Sequence, residues 1–181
     1  MAAFGTRLRY GAVAQLLHWV TAVLVVAAFT FGPGGSEQRV YSSAKDFDRQ
    51  VHETLGLAVF ALTLLRLAWR VFDRTPDDPP MPRWMRLSSK IMQATMYVLL
   101  FLIPLTAISG AWLEGHPLTL LGSVPIGPWL AETHALGSAI ASIHTWLGDT
   151  ILWVAGIHAA AGLYHQFVLR DGVLQSMLPG V

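Results

Sequence analysis

A chain of 181 residues suits one domain, but 54% hydrophobic residues, 13% charged residues and a mean hydropathy of +0.50 depart from the makeup of a soluble domain and point to the membrane. A formal net charge of +1 and the lack of any long basic run exclude a nucleic-acid-binding protein. Cysteine is absent, which excludes disulfides, thiolate metal sites and thioether-linked prosthetic groups.

In chain order, Gly11 to Phe31 supplies the first uncharged stretch near the length of about 20 residues that crosses the hydrocarbon core. Arg7 and Arg9 precede it as in a signal peptide, yet the run is too long for a signal-peptide core and no small-residue cleavage site stands out, so it is expected to be retained. Gly32-Pro33-Gly34-Gly35 opens a polar loop to Gln50. A second span is expected over residues 52–70, with Arg66 interrupting its hydropathy. Prolines and aspartates between Asp73 and Pro82 force the chain out of the membrane before a third span over 91–113, where Pro104 predicts a kink. Residues 116–128 are apolar but broken by proline and glycine, which predicts an interfacial loop or short helix. The fourth span covers 139–169, with an uncharged core from Thr150 to Leu169.

The fold class expected is therefore all-α, an integral membrane four-helix bundle making one domain over residues 1–181. Nine cations, Arg7, Arg9, Arg66, Arg70, Arg74, Arg83, Arg86, Lys90 and Arg170, fall on the side of the N-terminus, against Arg39, Lys45 and Arg49 on the other. The excess predicts that both termini are cytoplasmic and that the two longer apolar-bounded loops face outward.

His18, His52, His144 and His158 fall within or at the ends of these spans, where ionisable side chains are costly and face the bundle interior. His144 and His158 lie 14 residues apart on one helix, which returns to nearly the same face about 21 Å along the axis. That separation suits two stacked sites and is too great for one metal ion. Four residues beyond each histidine stands a small residue on the same face: Ala22, Gly56, Gly148 and Gly162. Missing side-chain volume there leaves room for a flat porphyrin; close helix packing is the alternative use. By depth, His52 and His144 share the outer boundary, and His18 needs a partner from the inner half of span four, where spacing admits His158 or His165. Arg66, 14 residues after His52, falls on the same face one step inward, placed either to pair with a carboxylate at the inner site or to snorkel to the interface with Arg70.

The segments Gln15-Leu16-Leu17-His18-Trp19, Val51-His52-Glu53-Thr54-Leu55-Gly56, Leu64-Leu65-Arg66-Leu67, His144-Thr145-Trp146-Leu147-Gly148 and Gly156-Ile157-His158-Ala159-Ala160-Ala161 resemble the bacterial cytochrome b561 family, small di-haem membrane cytochromes related to the b-type subunits of nickel-iron hydrogenases. The resemblance covers nearly the whole chain. It implies two non-covalent haems b, with His18 and His158 on the inner iron and His52 and His144 on the outer one, and no ligand from span three, which holds no histidine. It gives His165 a supporting place near the inner haem. His116 and His134, in the outer loop, are read as ordinary surface residues.

With two histidines per iron, electrons pass by outer-sphere transfer. The resemblance makes the quinone pool the expected partner within the lipid bilayer of the inner membrane, with ubiquinone as acceptor and superoxide or a protein as donor, since some members are superoxide oxidases. Lys45 and Arg49 could steer an anion, but Asp46 and Asp48 largely cancel their charge. Two other functions are weighed. A membrane anchor subunit of a dehydrogenase or hydrogenase would dock its partner on the basic loop from Arg70 to Lys90. A haem-free transporter or assembly protein would be colourless. A homodimer suits so small a bundle but rests on no particular residue. No H-E-x-x-H, phosphate loop or hydrolase triad is present.

Overall fold

The computed structural model describes residues 3–6 and 8–179, so Arg7, one of the cations counted above, lies outside the described residues. Four helices are long and apolar enough to cross a membrane. They are α1 (Ala12–Phe31), α3 (Asp46–Phe72), α4 (Arg83–Leu113) and α5 (His134–Tyr164), the last extended by a π-helical turn over His165–Leu169. Short helices α2 (Glu37–Val40) and α6 (Val173–Met177) lie in the loop after α1 and at the C-terminus.

The ends follow local chemistry. Helix α1 stops where Gly32 turns to an extended conformation ahead of Pro33. Helix α3 begins six residues before the expected span because Asp46 and Asp48 sit in its first turn, where the exposed N–H groups and helix dipole favour carboxylates, and Arg70 lies in its last turn. Helix α4 starts directly after Pro82, eight residues ahead of the apolar stretch, through the polar segment from Arg83 to Lys90. Pro104 sits inside it without ending it, as membrane helices tolerate.

The segment read as an interfacial loop or short helix forms instead a two-stranded antiparallel hairpin, β1 (Leu118–Leu120) with β2 (Val124–Ile126), in register Leu118 to Ile126. Its alternating apolar residues and the turn at Gly122, φ +71°, carry a strand signal too short to separate from loop by composition.

The helices pack as two pairs, α1 on α3 and α4 on α5, with α3 bridging to α4. Gly110 and Gly137 allow the second pair to approach closely: a Cβ at Gly110 would stand 3.2 Å from the Ala141 backbone nitrogen. Val59, Leu99, Leu100 and Ile151 form the buried centre, with Leu24, Val25 and Leu147 against it. Ile151 is seven residues from both His144 and His158, and Val59 seven from both His52 and Arg66, so this apolar layer lies midway between the two levels of polar side chains. Large apolar side chains such as Leu16, Val23, Trp146, Trp153 and Ile157 are exposed on the outside, a surface that suits lipid. The segment before α1 and the helix α6 meet at one end of the bundle, where Tyr10 N–H bonds the Ser176 carbonyl and the Trp19 indole N–H bonds that of Met177.

Candidate functional site

Four histidines meet in two pairs between the helix pairs. At the end away from the termini, His52 of α3 faces His144 of α5 with ring centroids 5.9 Å apart and planes at 78°. At the terminal end, His18 of α1 faces His158 of α5 at 6.3 Å and 75°. His165 turns elsewhere, donating Nδ1–H to Asp171 at 2.6 Å, while the other oxygen of Asp171 accepts the Val173 N–H.

Backbone carbonyls orient the far pair. His52 donates Nδ1–H to the Ala28 carbonyl at 2.7 Å, and His144 donates its own to that of Ile103 at 3.0 Å. A carbonyl can only accept, so each imidazole carries its proton on Nδ1 and keeps the Nε2 lone pair for a metal. Both rings line one apolar cavity with Val25, Gly56, Leu100 and Gly148. A Cβ added at Gly56 or Gly148 would meet no protein atom within 4 Å, in contrast to Gly110 and Gly137. Two kinds of glycine are thus present: those that let helices touch, and those that keep a flat space beside a histidine.

Two facing imidazoles that each bind one metal at about 2.0–2.1 Å place their centroids roughly 6 Å apart, the spacing of both pairs. Among the described residues no cluster of three or more histidine, aspartate or glutamate side chains could hold a metal ion. An ion between either pair would take only two ligands from the protein and the remainder from an equatorial ligand of its own. A planar macrocycle supplies that set, and the residues present fit it.

Arg66 is half-buried and stacks over Tyr97 at 5.4 Å, with Arg70 at 5.7 Å from the same ring. It forms no ion pair among the described residues, and its charge acts on both His18 and His158. A guanidinium without a carboxylate beside the terminal pair is available to an acidic substituent there.

At the far end the cations Lys45 and Arg49 are matched by acids. Lys45 bonds Asp48 at 2.7 Å, and Arg49 bonds Asp46 at 2.6 Å and Glu53 at 2.9 Å. Glu53 also accepts the Thr119 N–H, tying the hairpin to α3 beside His52. His134 is exposed, as a surface residue should be, but His116 is half-buried, stacked 3.6 Å from Tyr41 and bonded to Glu37 at 2.8 Å. Glu114 is buried in the same group, and burial, with Glu37 nearby, raises its carboxyl above the usual range. Sequence reasoning gave no role to Glu53, Glu114 or Tyr41, because the contacts from Glu53 to Thr119 and from Tyr41 to His116 join segments far apart in the chain. It also passed over Asp149, which precedes the uncharged core of α5 by one residue and lies exposed inside that helix.

Comparison with known proteins points the same way as this geometry. The family model of prokaryotic cytochrome b561 matches residues 9–180. Cytochrome b561 homolog 2 of Escherichia coli (strain K12) is 25% identical, the match covering 94% of this chain and 91% of the relative. Cytochrome b562 of Cereibacter sphaeroides is 28% identical over 90% of each chain. A probable superoxide oxidase, CybB, of Yersinia pestis is 25% identical over 90% of this chain and 92% of its own. With four membrane-length helices, histidines paired across them and a family match along almost its entire length, the chain belongs to the prokaryotic cytochrome b561 family.

Proposed function

We propose that the chain is a di-haem b-type cytochrome of the bacterial inner membrane that passes electrons to the quinone pool, with superoxide as a donor at the outer surface. The observation that carries the reading is the repetition of one arrangement at two levels: facing imidazoles 5.9 and 6.3 Å apart, 14 residues apart on α5. His52 and His144 would hold the outer haem iron, and His18 and His158 the inner one. Bound there, haem supplies a one-electron couple between ferric and ferrous iron.

The chain's own residues would do the rest. With two histidines of the chain to hold each haem iron, the sites would support outer-sphere electron transfer rather than binding of oxygen or substrate. The Ala28 and Ile103 carbonyls hold the outer imidazoles in one tautomer and orientation, which makes Nε2 a stronger donor. The layer of Val59, Leu99, Leu100 and Ile151 keeps water from between the two levels. Arg66 would pair with a propionate of the inner haem and favour its reduced state. Superoxide as donor rests on the likeness to the probable superoxide oxidase; the paired state of Lys45 and Arg49 argues against those two side chains as its electrostatic guide.

The test is the visible spectrum of detergent-purified protein, oxidised and dithionite-reduced, with a pyridine haemochrome assay. Two haems b per chain with sharp low-spin bands are expected. A colourless protein from haem-replete cells would overturn the reading.

A further inference from the structure

The two histidine pairs are held differently. At the far end each ring donates Nδ1–H to a backbone carbonyl, His52 to Ala28 and His144 to Ile103. Among the described residues no ring nitrogen of His18 or His158 has a hydrogen-bond partner, so the pair at the terminal end depends on where its helices lie. Those helices do not place each other. Helix α1 packs on α3 and α5 on α4, and the rings of His18 and His158 face across the gap between the two helix pairs.

The C-terminal segment bridges that gap. A helix leaves its last carbonyls without partners of its own. Around the end of α6, the carbonyls of Gln175, Ser176, Met177 and Leu178 all accept from α1 and the segment before it. The Arg9 guanidinium donates to Leu178 at 2.7 Å and to Gln175 at 3.4 Å. The Gln15 amide donates to Ser176 at 3.2 Å, beside the Tyr10 N–H, and the Trp19 indole donates to Met177 at 2.9 Å. Gln15 is 4% exposed, so its amide is committed to these bonds. Trp19 also touches the neighbouring histidine: its ring meets that of His18 edge to face, with centroids 5.2 Å apart. On the α5 side, Leu174 stands 3.9 Å from the place of a Cβ on Gly162, four residues after His158. Asp171 bonds His165 at 2.6 Å, which fixes the start of the segment to the end of that helix.

We infer that the C-terminal segment is a clamp that sets the gap between His18 and His158, and that Trp19 is the positioning residue through which it acts on His18. This role rests on the proposed inner haem and says what keeps its site at the right width. A ligand constellation works within about 0.5 Å and roughly 10–20° of its productive geometry, and it needs supporting bonds to stay there. The outer pair has the Ala28 and Ile103 carbonyls for that purpose; the inner pair has Trp19, tied to Met177.

The experiment compares the haem-loaded full chain in lipid nanodiscs with two variants. Trp19→Phe keeps an aromatic ring and deletes the bond to Met177; a chain ended after Arg170 deletes the clamp. Haem per chain is measured by pyridine haemochrome, and carbon monoxide binding after reduction by dithionite. The ferric low-spin EPR signals report ring geometry, since their largest g value follows the angle between the two ligand planes, and His144→Leu assigns them by removing the outer one. Trp19→Phe is expected to keep both haems, to move the inner signal and to leave the outer one in place. The shortened chain is expected to bind carbon monoxide at its inner haem or to lose that haem, with the outer signal unchanged. A lower thermal midpoint with both EPR signals unmoved in Trp19→Phe would make Trp19 a packing residue and overturn the clamp. Two wild-type signals in the shortened chain, or signals that move together, would overturn it as well while leaving two haems per chain standing. A wild-type chain with fewer than two haems b would overturn the two-haem reading itself.

Discussion

At His144 the atom that decides the site is Nδ1. Its bond to the Ile103 carbonyl fixes which nitrogen faces His52, and the chain reaches that carbonyl because α4 and α5 pack closely around Gly110 and Gly137. Replacing His144 by leucine keeps the volume apolar and removes the lone pair. Haem content measured by pyridine haemochrome is expected to fall from two per chain to one, with His18 and His158 retaining theirs. A variant that still carries two would place the outer ligand elsewhere. Arg66 poses a different question, since its charge costs free energy in the membrane and no carboxylate among the described residues pairs with it. A positive charge about 10 Å from an iron, at an effective dielectric constant near 20, favours the reduced state by about 1–2 kcal/mol. Arg66→Gln is therefore expected to lower the inner haem potential by roughly 60 mV, near 1.4 kcal/mol for one electron, in a spectroscopic redox titration. Unchanged potentials for both haems would reduce Arg66 to a snorkelling residue.

At the scale of elements, the glycines separate two uses of small residues that spacing leaves confounded. Gly148→Leu fills the flat space beside His144 and is expected to exclude the outer haem while the helices still assemble. Gly110→Leu drives a side chain into the α5 backbone and is expected to destabilise the α4 and α5 pair by about 1–3 kcal/mol, seen as a lower thermal midpoint. The reverse pattern would make Gly148 a packing residue. Glu114, at the end of α4, offers a test by pH. Burial raises its carboxyl, so the folded state binds that proton more tightly than the unfolded chain, and stability is lost as pH rises through the raised value. Glu114→Gln is expected to remove this loss, raising the midpoint at neutral pH and leaving it unchanged below about 4.5, the ordinary glutamate range. The four long helices were legible in sequence because about 20 apolar residues mean the same thing in any order. Their polar extensions, six residues on α3 and eight on α4, were not, since outside the hydrocarbon core a helix rests on capping and neighbours rather than hydropathy. The hairpin of β1 and β2 failed for a related reason: three-residue strands held by Glu53 and Thr54 of another helix leave almost no periodic signal.

For the whole molecule, sequence spacing placed the histidines on shared helix faces but could not select among them. His158 and His165 are seven residues apart and share a stripe; the π-helical turn that begins at His165 and the carboxylate of Asp171 set that residue's direction, and both depend on the C-terminal segment folding back against α5. Orientation in the membrane is the property on which the proposed chemistry most depends, because superoxide formed outside can reach only an outward-facing site. Among the described residues, cations on the terminal side outnumber those on the far side eight to three. The absence of native cysteine makes the consequence directly measurable. A single cysteine in place of Ser123, in the exposed turn between β1 and β2, is expected to react with a membrane-impermeant maleimide in intact cells. One in place of Asp77, in the exposed segment between α3 and α4, should react only after the membrane is breached. The opposite labelling would turn the His52 and His144 pair toward the cytoplasm, and the donor would then have to be sought there.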